Sequence, residues 1–370
     1  MEKKKILFVS TLTPPFYGSS LSSEMCLNIL KKDGKYDVTN IKLNYSFDMS
    51  DVGKLNLNKI LGFFKVRKQI RVSLKQFQPE IIYFVPAVTG LALIRDFLYL
   101  RSIKSLKNGK LILHIRGQFL KKDWQNPITK YIIKSLLVCD KVIVLGPELI
   151  ANLKNRILKE NIFVLINAIP NTLSNDEFEE IIIQRNLNSD LNLLFLSNMH
   201  EAKGWFKVLE VSKLLFDSGI KFSCHFVGGW ASKNDNKKFF DYINKNNLSN
   251  NIFYHGQLLN EEKNQMLAKS NIMIYPTEYN DACPRVIIEA MEYGLTVIAS
   301  NEAAIPSLIL DDETGIILKK NTVDDIFKNI LKLNDNTYRR DMEIKARERF
   351  LERFTLQTYK NRFIEIFSKI

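Results

Sequence analysis

Apolar runs of strand length alternate with helix-length periodic segments along the whole of this 370-residue chain. That alternation restricts it to parallel α/β architectures. Runs such as ILFVS (6–10), NLLFLS (192–197) and NIMIY (271–275) carry almost no polar side chain. A strand of that kind has to be covered on both faces, as in a parallel sheet layered between helices. The pattern predicts strands at 5–10, 38–43, 81–85, 110–115, 141–145 and 162–166. It then restarts, with strands expected at 191–197, 221–227, 252–255, 272–275, 296–299 and 315–318.

The restart divides the chain into two Rossmann-like halves, each long enough to bury its own core. Residues 1–172 form the expected first domain and residues 186–353 the second, with a polar, acidic linker at about 170–188. The last stretch, 354–370, repeats Leu356, Tyr359, Phe363, Ile366 and Phe367 at helical spacing, which suits a helix returning to the first domain. Two such domains facing across a cleft would bind a small ligand there.

Composition removes other classes. Hydrophobic residues make up 46% and charged residues 25%, a globular balance that excludes disordered and fibrous chains. The longest uncharged apolar stretch, 81–94, is interrupted by Pro86 and Gly90 and falls short of the ~20 residues of a membrane span. The N-terminal KKKILFVSTLTPPF lacks the long apolar core of a signal peptide. Cys26, Cys139, Cys224 and Cys283 are widely separated, with no zinc or disulfide spacing, so a reduced, cytoplasmic setting is expected. The net charge of +13 is lopsided: residues 1–175 hold 28 Lys and Arg against 12 Asp and Glu. Seven of these cations crowd into 54–75 without one acid, which points to an anionic partner.

The segment 275–300, YPTEYNDACPRVIIEAMEYGLTVIAS, carries the most chemistry. A strand runs into a polar loop, Pro284 opens a helix, Gly294 stops it, and a second strand follows. The helix N-terminus offers unsatisfied N–H groups and a partial positive charge, a seat for a diphosphate. Glu289 suits a ribose and Asp281 sugar hydroxyls. The same spacing also fits a simple N-cap and a solvated carboxylate.

These residues resemble the family 4 glycosyltransferases, retaining nucleotide-sugar enzymes of the GT-B fold. The family pattern E-G-F-P-x-x-x-x-E-A-M-A-x-G-x-P-V-I-A is similar to D-A-C-P-R-V-I-I-E-A-M-E-Y-G-L-T-V-I-A at 281–299. The resemblance extends, in order, through PPFYG (14–18), HIRG (114–117), VIVLGPELIANL (142–153) and INAIP (166–170). It continues through FLSNMHEAKG (195–204), FVGG (226–229), HGQL (255–258) and DDETGIIL (311–318). It implies catalytic roles for Lys203, Asp281 and His114. It implies donor binding by Gly18, Ser19, Asn198, Gly228, Gly256, Ala282, Cys283, Pro284, Arg285, Val286 and Glu289. Arg116 falls on the acceptor side. The chain departs from the family in Asp281 for Glu, Asn198 for an arginine of the phosphate clamp, and Ser19 for a second glycine. Arg285, ahead of Arg116, is the expected substitute for the missing arginine charge.

Lys203 opens a helix just after a strand, where a point charge can neutralise a leaving diphosphate; a surface lysine is the plainer reading. No D-x-D triplet occurs, so no metal and no cofactor are expected. The amphipathic, basic segment 55–78 fits either an anionic membrane surface or a core helix with a solvated rim. The resemblance implies a retaining, metal-independent enzyme that moves a hexose or N-acetylhexosamine from a UDP-sugar to a glycan or lipid-linked acceptor. The Lys-, Asn- and Ile-rich composition suggests an AT-rich bacterial genome and hence surface polysaccharide or lipopolysaccharide assembly. The rivals are a UDP-sugar epimerase and a non-catalytic sugar-nucleotide-binding subunit. Nucleic-acid binding is disfavoured for want of a recognition motif.

Overall fold

A computed structural model of the chain describes residues 2–14, 18–43, 57–187, 190–279 and 281–370. Two compact units emerge: Met1–Asn167 with Tyr359–Ile370, and Ala168–Thr358.

The first unit is built on β1 (Lys4–Ser10), β2 (Tyr36–Lys42), β3 (Ile81–Phe84), β4 (Lys110–Ile115), β5 (Lys141–Val144) and β6 (Ile162–Val164). All pair in parallel, in the order β2-β1-β3-β4-β5-β6. Its helices are α1 (Gly18–Lys32), α2 (Leu57–Gln76), α3 (Gly90–Leu106), α4 (Lys121–Gln125) and α5 (Pro127–Leu136). The apolar strands are covered as their sequence demands: every residue of β3 is buried. Local signals set the helix starts. At α5, Pro127 takes the first turn while Asn126 Oδ1 accepts from the amides of Ile128 and Thr129 at 3.0 and 3.2 Å.

The second unit begins with α6 (Asn175–Leu187). It continues through β7 (Leu191–Leu196), α7 (Trp205–Asp217), β8 (Phe222–Val227), α8 (Lys233–Lys245), β9 (Ile252–Tyr254) and α9 (Asn260–Lys269). Next come β10 (Ile272–Tyr275), α10 (Arg285–Glu292), β11 (Thr296–Ser300), α11 (Ile305–Leu308), β12 (Ile316–Leu318), α12 (Val323–Leu333) and α13 (Asn336–Arg353). The parallel order is β12-β11-β10-β7-β8-β9. Trp205, fully buried at the start of α7, packs edge-on against Trp230 and Phe239 and anchors the core on that side of the sheet.

Two boundaries differ from the sequence-based expectation. The segment expected as a linker folds as α6 and belongs to the second unit, which begins at residue 168 rather than 186. Ser174 and Glu177 form a reciprocal capping box: the Glu177 amide donates to Ser174 Oγ at 3.2 Å, and the Ser174 amide donates to Glu177 Oε2 at 2.8 Å. Arg185 then fixes the helix: its side chain is buried and donates to the carbonyls of Leu267 and Ala268. At the other end, α14 (Leu356–Ser368) joins the first unit from Tyr359, five residues later than expected. The Ile169 amide donates to the Phe354 carbonyl at 3.0 Å, which keeps 354 with the second unit. Phe363 and Phe367 of α14 pack on Tyr83 of β3, with ring centroids 6.0 and 5.8 Å away.

Candidate functional site

In a doubly wound sheet, ligands bind beyond the carboxyl ends of the two strands where the winding reverses. In the second unit those strands are β7 and β10, neighbours in space but not in sequence. The segment after β7 carries Lys203 and the segment after β10 carries Asp281, and their side chains meet in an ion pair. The hydroxyl of Tyr275, the last residue of β10, donates to the same Asp281 Oδ2.

The backbone makes this meeting possible. Gly204 has φ +85°, and a Cβ there would lie 2.5 Å from the Pro276 carbonyl oxygen. A residue without a side chain lets the 200–204 turn rest directly on the strand end. The Glu278 amide donates to the Ala202 carbonyl at 2.8 Å and ties the two loops together. Lys203 also stands 4.3 Å from the centroid of the Tyr279 ring. Burial lowers the Lys203 pKa, and Asp281 pulls it upward less strongly. Burial likewise lifts Tyr275 well above 10, with the Asp281 charge adding to it, so the phenol keeps its proton and its donor role.

Asp281 therefore does not cap α10. Pro284 occupies the N-cap with extended backbone and the helix starts at Arg285, one residue later than the sequence suggested. A proline N-cap offers no side-chain acceptor, so the first turn presents the positive end of the helix uncapped by that residue. Ala282, Cys283 and Pro284 are buried beneath this end, and Arg285 and Val286 are half-buried on its first turn. Glu289, one turn further along, is 19% exposed and accepts from Lys263 Nζ of α9 at 2.9 Å. Tyr275, Tyr279 and Lys263 escaped the sequence reading. Tyr275 ends an apolar run and reads as core, while Lys263 lies in the charged stretch NEEKNQ and reads as solvated.

Of the other expected donor residues, Asn198, Gly228 and Gly256 lie on neighbouring strand ends of the same unit. Asn198 is exposed just beyond β7. Gly228, with φ +151°, lets its chain approach so closely that a Cβ would lie 1.9 Å from the Ser197 carbonyl oxygen. Its amide donates to the Gly256 carbonyl at 2.7 Å. Beside them, His225 Nδ1 and His255 Nε2 are 2.9 Å apart.

In the first unit, Gly18 and Ser19 open α1 at the carboxyl end of β1 and are exposed; residues 15–17 of the PPFYG loop lie outside the described residues. His114 ends β4 with no exposed surface. Its Nδ1 faces the Tyr83 hydroxyl and, at 3.4 Å, Arg116 Nη2. Burial, reinforced by Arg116, holds His114 well below 6.5, so the ring is neutral near pH 7. Since a guanidinium only donates, Nδ1 is the acceptor and the ring proton is on Nε2. That Nε2 is buried with no partner among the described residues. Arg116 is turned inward: Nη2 donates to the Ser22 carbonyl and to Cys26 Sγ, both at 3.2 Å, and Nε and Nη1 are buried. Its guanidinium is therefore held by groups of the first unit, while the residue as a whole is only half-buried.

Among the described residues, no three His, Cys, Asp or Glu side chains stand together as metal ligands. No helix among them is long and apolar enough to cross a membrane. The basic segment forms α2, on which Arg67, Lys68, Arg71 and Lys75 line a groove of about 400 Å³ shared with Phe64 and Val72. Ile60, Leu61 and Phe64 on this helix are exposed. Residues 55 and 56 lie outside the described residues.

Residues 177–349 match the family described as "Glycosyl transferases group 1". An uncharacterized 41.2 kDa protein in the cps region of Klebsiella pneumoniae is 30% identical over 166 residues, 44% of this chain and 42% of that protein. The chain thus spans less than half of that relative. The fold is GT-B. A crystal structure of HepE from Anabaena in complex with UDP superposes with a TM-score of 0.74 at 15% identity, covering 99% of this chain and 100% of that one. The lipopolysaccharide outer core galactosyltransferase WaaB does so with 0.73 at 16%, with the same coverage.

Proposed function

We propose that this protein is a retaining, metal-independent glycosyltransferase. In this reading it moves a hexose or N-acetylhexosamine from a UDP-sugar to a hydroxyl of a glycan or lipid-linked acceptor in bacterial surface polysaccharide synthesis. The observation that carries the reading is the convergence of Lys203 and Asp281 at the β7/β10 reversal, with Glu289 on the helix that leaves it. An ammonium and a helix N-terminus together suit a pyrophosphate, and a half-buried carboxylate one turn along suits a ribose diol. The UDP held by HepE and the galactosyltransferase activity named for WaaB support the donor class. The cps-region relative supports a polysaccharide setting.

In the reaction, the acceptor oxygen bonds to the anomeric carbon as the bond from that carbon to the diphosphate oxygen breaks. The acceptor proton passes to the leaving phosphate, so no protein base is required. Lys203 and the first turn of α10 stabilise the charge that develops on UDP. Asp281 orients the sugar. The exposed apolar and basic face of α2 suits the headgroups of an anionic bilayer, where a lipid-linked acceptor resides, and a peripheral cytoplasmic location goes with it.

The test is thermal stabilisation by UDP-Glc, UDP-Gal, UDP-GlcNAc, UDP-GalNAc and GDP-Man, followed by transfer from the one that binds. A ligand at 100 times its Kd adds about 2.7 kcal/mol. One UDP-sugar should stabilise the wild type, and Lys203→Ala should slow transfer roughly a hundredfold. Isomerisation of the donor without acceptor would identify an epimerase. Binding without transfer to any hydroxyl acceptor would identify a non-catalytic subunit.

A further inference from the structure

Each acid of the D-x7-E motif is met by a lysine from elsewhere in the second unit: Asp281 by Lys203, and Glu289 by Lys263. The second pairing joins two helices. Lys263 lies near the start of α9 and Glu289 in the middle of α10, with side chains 26% and 19% exposed and Nζ 2.9 Å from Oε2. Only Oε2 is taken. Oε1 accepts nothing from the described residues, so the carboxylate is held by one oxygen and open at the other.

A glutamate on a helix face has three rotatable side-chain bonds, and ordering them costs on the order of 1 kcal/mol or more. Recognition of a vicinal diol by a carboxylate needs that order before the ligand arrives, because specificity comes from groups held in place. A charge-assisted hydrogen bond at 2.9 Å between half-buried partners supplies it without entering the reaction. Lysine is suited to the task because its ammonium is a compact charge that satisfies one oxygen and leaves the other unobstructed.

We propose that Lys263 is a positioning residue of the donor site, fixing Glu289 so that its free oxygen receives the ribose hydroxyls of the nucleotide. This inference rests on the glycosyltransferase reading and adds to it a determinant of ribose recognition.

The experiment is calorimetric titration of the full chain with UDP and with 2′-deoxy-UDP, for the wild type, Lys263→Met and Lys263→Arg. The wild type should bind UDP at least tenfold more tightly than the deoxy nucleotide. Lys263→Met should shrink that ratio to about twofold or less, mainly by weakening UDP, and Lys263→Arg should restore most of it. A purely structural contact would weaken both nucleotides equally, leave the ratio intact, and overturn the proposal. A wild type that binds both nucleotides equally would overturn the ribose assignment and this inference, and leave the glycosyltransferase reading standing. A wild type that binds neither would remove the UDP-sugar reading and this inference with it. Circular dichroism of each variant checks the fold, and the arginine variant keeps the test decisive should the methionine variant fail to fold.

Discussion

Tyr275 donates its hydroxyl to Asp281 at the very oxygen that takes the ammonium of Lys203. The strand end is thereby coupled to the loop cation through one carboxylate. Tyr275→Phe removes one donor and keeps the ring that packs in the sheet. A hydrogen bond to a charged group is worth about 1.5–3 kcal/mol, so kcat/KM should fall about tenfold or more while the thermal midpoint moves little. Steady-state kinetics with saturating acceptor, beside a melting curve, will read both. An unchanged kcat/KM would show that Asp281 needs no support from the strand.

The ammonium of Lys203 is needed in its charged form. Because burial lowers its pKa from 10.5, UDP affinity should decline as pH rises through a value below 10.5, earlier than an exposed lysine would allow. Lys203→Arg should move that decline upward, since a guanidinium stays charged. Lys203→Ala should lose about 3 kcal/mol of transition-state stabilisation, roughly a hundredfold in kcat. Titration calorimetry between pH 7 and pH 10 tests the first two expectations and turnover the third.

Gly204→Ala places a methyl 2.5 Å from the Pro276 carbonyl oxygen at a positive φ. The left-handed conformation alone costs an ordinary residue roughly 1–2 kcal/mol, and the overlap adds to it. Chemical denaturation should register a loss of at least about 1 kcal/mol. UDP affinity should fall as well, because the turn that moves carries Lys203.

Acid should destabilise the second unit. His225 is pushed down to about 4 by burial, then by Lys269 and His255, and His255 is lowered by burial and Lys269. Both bind protons more weakly folded than unfolded. Their contribution is therefore complete above the unfolded value of about 6.5 and is lost as pH falls from there toward 4. The loss should reach about 2–3 kcal/mol for His225 at the acid end, and His225→Gln should flatten the slope of the urea midpoint between pH 7 and pH 5. His114 contributes in the same direction from the first unit.

Vesicle flotation tests the face of α2. The wild type should float with phosphatidylglycerol vesicles and not with phosphatidylcholine. Lys68→Glu with Arg71→Glu removes two cations from the groove. At about 1 kcal/mol per basic residue near the surface, binding should fall at least thirtyfold. Equal binding to both vesicle types would remove the membrane from the proposed function.

The fold was legible because burial on both faces forces a compositional signature. All twelve expected strands form, with ends shifted by a residue or two. The region 170–188 was misread because its acidity resembles a linker. The Ser174-x-x-Glu177 box was present in the sequence, but the burial of Arg185 depends on α9 and α13 and has no local trace. In the site, Lys203 and Asp281 were found through pattern and lie together because β7 and β10 are adjacent. Tyr275 and Lys263 were missed for opposite reasons, one hidden in an apolar run and the other in a charged one. Nothing in HIRG indicates that the Arg116 guanidinium turns toward Cys26 and Tyr83.

Residues 359–370 complete the first unit, where the Tyr359 hydroxyl and Cys26 Sγ lie 3.0 Å apart and Phe363 and Phe367 cover Tyr83. During translation this material leaves the ribosome after everything else in both units. The uninterrupted stretch 168–358 has all its own parts earlier and can finish first, reversing the usual amino-to-carboxyl sequence of maturation. A nascent chain arrested near residue 358 should thus expose an unfinished amino-terminal half that invites chaperones or proteases, beside a carboxyl-terminal half already closed to them.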